Sequence, residues 1–332
     1  MKISIAKFSD QKKISNFIKK NWDKNHILAK NKFYFNYLYQ KGEKLNFLIC
    51  KDKKNNLIGI LGYIQSSSTK PISIWTTMWM VKKNTNLMVG IQMLLKLINY
   101  KKFLCIMSLG INKKTVEIYK YLKFKTGVLN HHFIPNNRLK KKTISKIPNN
   151  IKNKIIKVSD KNLVVKEIDI YEIKNKFKFK KYQNVYPFKD LNYVKKKFYD
   201  HPINRYKFCG VYRKNELISF LIFRIQGLEK SKCIRILDFY GKETYLKYLT
   251  NYIINSADYE ASEYIDFYNY GLREKSLKDA GFLKKNEFGD KIIIPDFFNP
   301  FKKKNRDIYF FINKKNKYKF RFFKGDGDQD RP

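Results

Sequence analysis

Three apolar runs, LNFLICKD, NNLIGILGYIQ and ISIWTTMWMVK, succeed one another between Leu45 and Lys82 with only short polar turns between them, KKNN being the clearest. Runs of this length and spacing form a meander of strands, and a sheet this apolar needs helices packed on it. The flanking segments supply them. Upstream, KISIAKF reads as an opening strand, DQKKISNFIKKNW carries Ile14, Phe17 and Ile18 at helical spacing behind an Asp10 cap, and FYFNYLYQ is a second helix. Downstream, MVGIQMLLKLINY is helical, FLCIMSLG is a short buried strand, NKKTVEIYKYLKF is another helix, and a strand around VLNHHFI closes the unit. The order is helix, helix, three strands, helix, strand, helix, strand, which constrains the fold to the α/β (α+β) class.

The order partly recurs. DLNYVKKKFYDHP is helical up to its proline, YKFCGVYRKNELISFLIFRI is a strand, turn and strand, and CIRILDFYG is a third strand. TYLKYLTNYIINSA is then a helix, EYIDFYNYG a strand, REKSLKDAGF a helix and KIIIP a strand. Two mixed-sheet domains in tandem follow, the second a divergent copy, since two units are too few for a solenoid. The boundaries fall at 1–136 for the first domain, 137–160 for a basic linker, 161–324 for the second domain and 325–332 for an acidic tail, GDGDQDRP.

The formal net charge is +43, but only nine of the 71 basic residues are arginine. A field of this sign attracts polyanions without choosing among nucleic acid, anionic lipid and the phosphates of a coenzyme. The scarcity of arginine forks counts against nucleic acid as the partner, and the joint enrichment of lysine, asparagine and isoleucine along the chain fits an A+T-rich coding sequence. Cys50, Cys105, Cys209 and Cys233 lie far apart in apolar runs and read as core residues. No His/Cys/carboxylate set has zinc spacing, so no metal is expected. MKISIAKFSD lacks a signal-peptide core and no window approaches a membrane span, so a cytoplasmic protein is expected.

Two stretches of the first half carry a resemblance. NTNLMVGIQMLLKLI follows the strand IWTTMWMV, and GINKKTVEIYKYLKFKTG follows the strand FLCIMSL. In this order, after a three-strand meander, they resemble the coenzyme-binding half of the GNAT acyltransferase superfamily. The resemblance implies an acyl-CoA co-substrate, acetyl-CoA or another, whose pyrophosphate sits on backbone amides at a helix N-terminus, here Met88, Val89 and Gly90. Only Gly90 of the usual glycine motif is retained, with Thr85 and Met88 at its other two positions. It further implies a thioester oxyanion held by a backbone amide around Met80, Val81 and Lys82. Asn112 would contact the pantetheine or help hold Tyr119, and Tyr119 would protonate the departing thiolate. His26, between the first two helices, would be a base or an acceptor contact. The residues alone leave Tyr119 equally open to core packing with Val116 and Leu122.

In the second half, Asp238, Asp266, Tyr268 and Arg273 stand at strand ends, where buried carboxylates need cations or hydroxyls. They read as lysine-paired structural groups or as part of a sugar pocket. Asp326, Asp328, Asp330 and Arg331 read either as a solvated tail or, folded back, as part of the acceptor site. A two-part chain of this kind resembles the acyltransferases of bacterial surface-polysaccharide clusters (capsule or lipopolysaccharide), which implies a small-molecule partner, an amino sugar or a nucleotide-linked one. The alternatives are a binding protein that keeps this fold without the coenzyme site, and a basic nucleic-acid-binding protein.

Overall fold

A computed structural model of the chain describes all residues except 71, 87, 101–102, 155–157 and 314–318. The first half runs β1 (Lys2–Lys7), α1 (Gln11–Asn21), α2 (Ile27–Lys30), α3 (Lys32–Tyr39), β2 (Lys44–Lys51), β3 (Leu57–Gln65), β4 (Ile74–Val81), α4 (Met88–Tyr100), β5 (Ile106–Ile111), α5 (Val116–Tyr121) and β6 (Lys125–Val128). β7 (Asn130–Pro135) follows at once. The second half runs β8 (Leu163–Glu167), α6 (Ile170–Lys176), α7 (Leu191–Val194), β9 (Lys207–Arg213), β10 (Glu216–Leu228), β11 (Ser231–Gly241), α8 (Leu246–Ile254), β12 (Ser262–Tyr270), α9 (Glu274–Asp279) and β13 (Leu283–Lys284). Two further strands, β14 (Tyr309–Ile312) and β15 (Phe322–Phe323), lie near the C-terminus. The expected meander is present, and all four cysteines are buried.

The sheets are matched but not self-contained. The first has the order β1-β2-β3-β4-β5-β14-β6, and the second β13-β7-β12-β11-β10-β9-β8. Each therefore borrows a strand. β14, from the far end of the chain, sits between β5 and β6, with Phe310 opposite Leu109 and Gly127. β7, from the first half, pairs with β12 from Asn130↔Asn269 to Pro135↔Tyr264. The expected boundary at 136 thus assigns β7 to the wrong sheet, and the segment 161–324 contains a strand of the first one. The physical reason is edge satisfaction: β5 presents a row of backbone groups that β6 does not cover, and β14 pairs with both.

The expected basic linker is largely packed structure. Glu263 accepts hydrogen bonds from the backbone of Thr143, Ile144 and Ser145, and Ile144 and Ile147 are buried against Tyr264 and Ile292. Its residues 155–157 lie outside those described. KIIIP contributes one bridge, Lys146↔Ile293, rather than a strand.

In both sheets the central parallel pair separates. β4 and β5 pair only at Ile74↔Ile106 and Trp75↔Met107, although β4 runs on to Val81 and β5 to Ile111. A bulge at Met78, with φ +43, turns β4 away. β11 and β12 pair as far as Ile236↔Phe267 and then diverge. The second opening is filled by the chain itself: β15 pairs with β12, Lys324 N–H reaches the Tyr268 carbonyl (3.3 Å), and Gly325 N–H reaches the Leu237 carbonyl on β11 (2.8 Å). A Cβ at residue 325 would lie 2.5 Å from that carbonyl oxygen, which is why the residue is glycine.

The tail then crosses to the first half. Asp326, fully buried, shares Lys189 with Asp238, at 3.0 Å and 2.6 Å respectively, and accepts the Phe323 N–H. Burial opposes the charge on Lys189, but the two carboxylates outweigh it and hold the ammonium above its ordinary range. Removing Asp326 leaves Lys189 paired with Asp238 but strands the buried Phe323 N–H and Tyr193 hydroxyl that Asp326 accepts, so Asp326→Ala is expected to cost about 2 kcal/mol of stability. A urea midpoint indistinguishable from the parent would show that the tail is not held by this charge group.

Candidate functional site

The opening between β4 and β5 is spanned near its base by side chains: Ser108 Oγ donates to the Thr76 carbonyl (2.9 Å) and Thr76 Oγ1 to the Met107 carbonyl (3.3 Å). Beyond them the two backbones diverge. Of the three amides expected to face a reacting carbonyl, that of Lys82 is taken by the Ile58 carbonyl (2.8 Å), and Met80 pairs with Ile60 on β3. N–H direction alternates along a strand, so Val81, between them, directs its amide toward the opening.

The expected phosphate cradle at α4 departs from expectation. Asn86 Oδ1 accepts the Met88 N–H (2.9 Å) and the Asn86 carbonyl accepts the Val89 N–H (3.0 Å), so these two amides are capped from within. Met88 is half exposed. Leu87, between them and Asn86, lies outside the described residues. Gly90 serves packing: a Cβ there would stand 3.3 Å from the Trp79 indole. Four lysines instead follow the two strands, Lys82 and Lys83 after β4 and Lys113 and Lys114 after β5, and parallel neighbours end at one edge of the sheet. Asn112 also has a local duty, its Oδ1 accepting the Lys114 N–H (3.0 Å) and its carbonyl the Thr115 hydroxyl (2.7 Å).

Tyr119, on α5, is 2% exposed and stacks on Phe311 of β14 with ring centroids 4.1 Å apart. Trp79 lies 5.8 Å away, and its buried Nε1–H has no partner. Burial pushes the Tyr119 hydroxyl pKa up, against a smaller opposing effect of Thr115, so the phenol keeps its proton. The ring packs in the core with its hydroxyl proton kept, and the side chain beside it whose donor meets no partner is Trp79, whose indole in a strand gave no signal in the sequence. That orphan donor, packed between Gly90 of α4 and Tyr119 of α5, fits a ligand with carbonyl groups, whereas the capped α4 amides do not fit a glycine-loop phosphate.

The tail reaches the opposite side. Gln329 Nε2 donates to the Leu109 carbonyl of β5 (3.0 Å), and Gly327 lies against Trp75 of β4. Arg331 binds its own segment through Asp328 (Nη2 to Oδ2, 2.6 Å), and its Nη1 faces His26 Nε2 at 3.1 Å. His26 Nδ1 faces the Leu28 N–H at 3.2 Å. Burial, then Arg331, lowers the His26 pKa to about 4, so the imidazole is neutral. Asp330, fully buried, meets Arg224 (2.8 Å) and the Tyr206 hydroxyl (2.8 Å). The structure therefore brings His26, Asp328 and Arg331 together at the first opening, and the solvated-tail alternative is overturned.

The other second-half candidates are spent internally. Asp238 takes Lys189, the Phe239 N–H and the Tyr240 hydroxyl. Asp266 is held by Arg235 (2.8 Å) and His131 (3.2 Å). Tyr268 stacks on His131 at 3.7 Å and donates to the Arg306 carbonyl, and Arg273 binds Glu243 at 3.0 Å. These are the structural pairings, made by arginine and histidine as well as lysine, and not a sugar pocket. Their partners Lys189, Arg224 and Arg235 are isolated cations in the sequence, with no pattern to mark them.

Two solved structures carry the same arrangement along 94% of this chain: a GCN5-related N-acetyltransferase from Anabaena variabilis (TM-score 0.59, 10% identity, 72% of that chain) and an Enterococcus faecalis protein of unknown function, named a probable N-acyltransferase (0.57, 9%, 71%). The chain has the GNAT fold, in two tandem copies. Eis1 from Mycobacterium abscessus is similar over 86% of this chain and 71% of its own, with TM-score 0.50 and 8% identity. No family model matches the sequence, and no curated protein sequence matches it. Within this chain, the first copy leaves the β4–β5 opening clear of β15, and the second has its β11–β12 opening filled by β15 and Gly325.

His26, His132 and His201 are each lowered to about 4, chiefly by burial, from an ordinary 6.5. The unfolded chain takes up protons first, so their contribution to stability is complete above 6.5 and lost as pH falls toward 4. Thermal melts between these limits are expected to show a falling midpoint, with a shallower slope for His26→Gln. An unchanged slope in that variant would remove His26 from the coupling.

Proposed function

We propose that the chain is an acyl-CoA-dependent N-acyltransferase whose single donor site is the β4–β5 opening of the first half. The observation that carries this reading is the asymmetry of the two copies: the second opening is closed by β15 and Gly325, while the first retains a bulged strand and an orphan indole donor. Acyl-CoA supplies the activated acyl group, most simply acetyl. The Val81 amide offers a hydrogen bond to the thioester oxygen, and Trp79 Nε1–H offers one to the pantetheine arm. Lys82, Lys83, Lys113 and Lys114 offset the phosphate charge in place of the capped α4 amides.

On the other side of the opening, His26 and Asp328, held by Arg331, receive an amine acceptor. His26 is neutral at pH 7 and, with Nδ1 accepting the Leu28 N–H, serves as an acceptor contact while the amine proton passes to water, and Tyr119 is the proton donor to the departing thiolate. The acceptor is an amino sugar or nucleotide-linked amino sugar in surface-glycan synthesis, a choice that rests on the resemblance in the sequence and not on geometry. The internal capping of α4 by Asn86 favours the rival reading, a GNAT-fold binding protein without a donor site.

Calorimetry with acetyl-CoA separates the two: one molecule bound per chain is expected, and no heat and no thermal shift at millimolar donor would leave the scaffold reading. In turnover assays with amino-sugar acceptors, Tyr119→Phe is expected to lower kcat by about a hundredfold with donor affinity unchanged. Equal turnover would return Tyr119 to packing alone.

A further inference from the structure

Helices α4 and α5 pack on one face of the first sheet through a single apolar cluster, to which α4 gives Val89, Met93, Leu94 and Leu97 and α5 gives Tyr119. Both helices also carry apolar side chains outward. On α4, Met88 and Leu95 are 51% and 40% exposed and lie two turns apart on one side, with Ile91 half-buried next to them. On α5, Tyr121 is 85% exposed. α1, on the other face of the same sheet, has the ordinary pattern: Lys12, Lys13, Lys19 and Lys20 point outward and none of its apolar residues is exposed. Covering this sheet therefore does not require an apolar outer surface, and that of α4 and α5 calls for a partner.

The charge around this face is of one sign. The sequence from Lys82 to Lys125 holds ten lysines and one carboxylate, Glu117. Every one of those lysines among the described residues is exposed, and Glu117 is already matched by Lys120 at 2.9 Å. A second copy of the chain would set two such fields against each other. A nucleic acid would pair with the lysines but offers nothing to Met88 and Leu95, which neither stack on bases nor reach a phosphate. An anionic bilayer meets both demands: its headgroup phosphates attract the lysines, its acyl boundary takes the aliphatic side chains, and tyrosine is suited to the level between them.

We propose that the α4–α5 face docks on an anionic lipid bilayer, with Met88, Leu95 and Tyr121 entering the headgroup layer and the surrounding lysines meeting lipid phosphates. The contact is peripheral, since no helix among the described residues is long and apolar enough to cross a membrane. It stands or falls independently of the acyltransferase reading.

Flotation of the full chain with vesicles of phosphatidylglycerol and phosphatidylcholine in equal parts, set against phosphatidylcholine alone, tests it. Binding is expected to the anionic vesicles only, and to weaken as salt is raised. Leu95→Glu is expected to weaken it about tenfold or more. Tyr121→Glu, at a site with little to lose in packing, is expected to do the same and decides the matter should Leu95→Glu fail to fold. Phe33→Glu places the same charge at a 70% exposed site on α3, across the sheet, and is expected to leave binding within about twofold of the parent. Absent binding to the anionic vesicles, binding unchanged by Leu95→Glu and Tyr121→Glu, or an equal loss in Phe33→Glu would each overturn the proposal. Binding of poly(dT) that Leu95→Glu weakens as much as vesicle binding would overturn it too, and would assign the face to nucleic acid.

Discussion

Reciprocal strand exchange is the constraint on which the rest depends. β14 leaves the second half to complete the first sheet, and β7 leaves the first half to complete the second. Neither sheet is closed without a strand from the other part of the sequence, so the halves are one folding unit despite their repeated order. The exchange also sets the chemistry of the first half, because β14 supplies Phe311, the ring against which Tyr119 stacks. A strand drawn from 200 residues away thus fixes a side chain next to the candidate donor opening.

The acidic tail is the second device that ties the parts together. In a chain this rich in lysine, carboxylates are the scarce partners, and buried cations need them. Asp326 meets Lys189, Asp330 meets Arg224, and Asp328 holds Arg331 against His26. Asp330 thus neutralises Arg224, while Asp326 adds a second carboxylate to Lys189 and Asp328 fixes the tail's own arginine. The same passage fills one opening of the duplicated fold and flanks the other, which turns a symmetric architecture into an asymmetric one.

Much of this was legible in the sequence. Apolar periodicity located the meander, the helices over α4 and α5 and the repeated order, because those signals are local. The exchange was not legible. YFFI (Tyr309–Ile312) and NHHFIP (Asn130–Pro135) are short runs whose sheet is decided by which edge lies open, a property of the assembled molecule. The resemblance to GNAT acyltransferases led to the right fold, but Met88, Val89 and Gly90 turned out to be capped or packed. Asn86 is two residues before Met88, and nothing in its identity distinguishes a cap that replaces a ligand from one that precedes it. Asp238 and Asp266 were correctly marked as needing partners; their partners were invisible because ion pairs across a core have no sequence spacing.

The exchange has a consequence for synthesis. The first sheet cannot acquire its sixth strand until residues 309–312 have been translated, so the first half emerges with the β5 edge unpaired and its aromatic face uncovered. The tail that flanks the candidate opening comes later still. A ribosome-bound chain therefore holds a long, apolar, incomplete intermediate, and the cell must shield it during the time taken to make the second half. The first half completes its sheet and its contact with Gln329 only after the second half has been made.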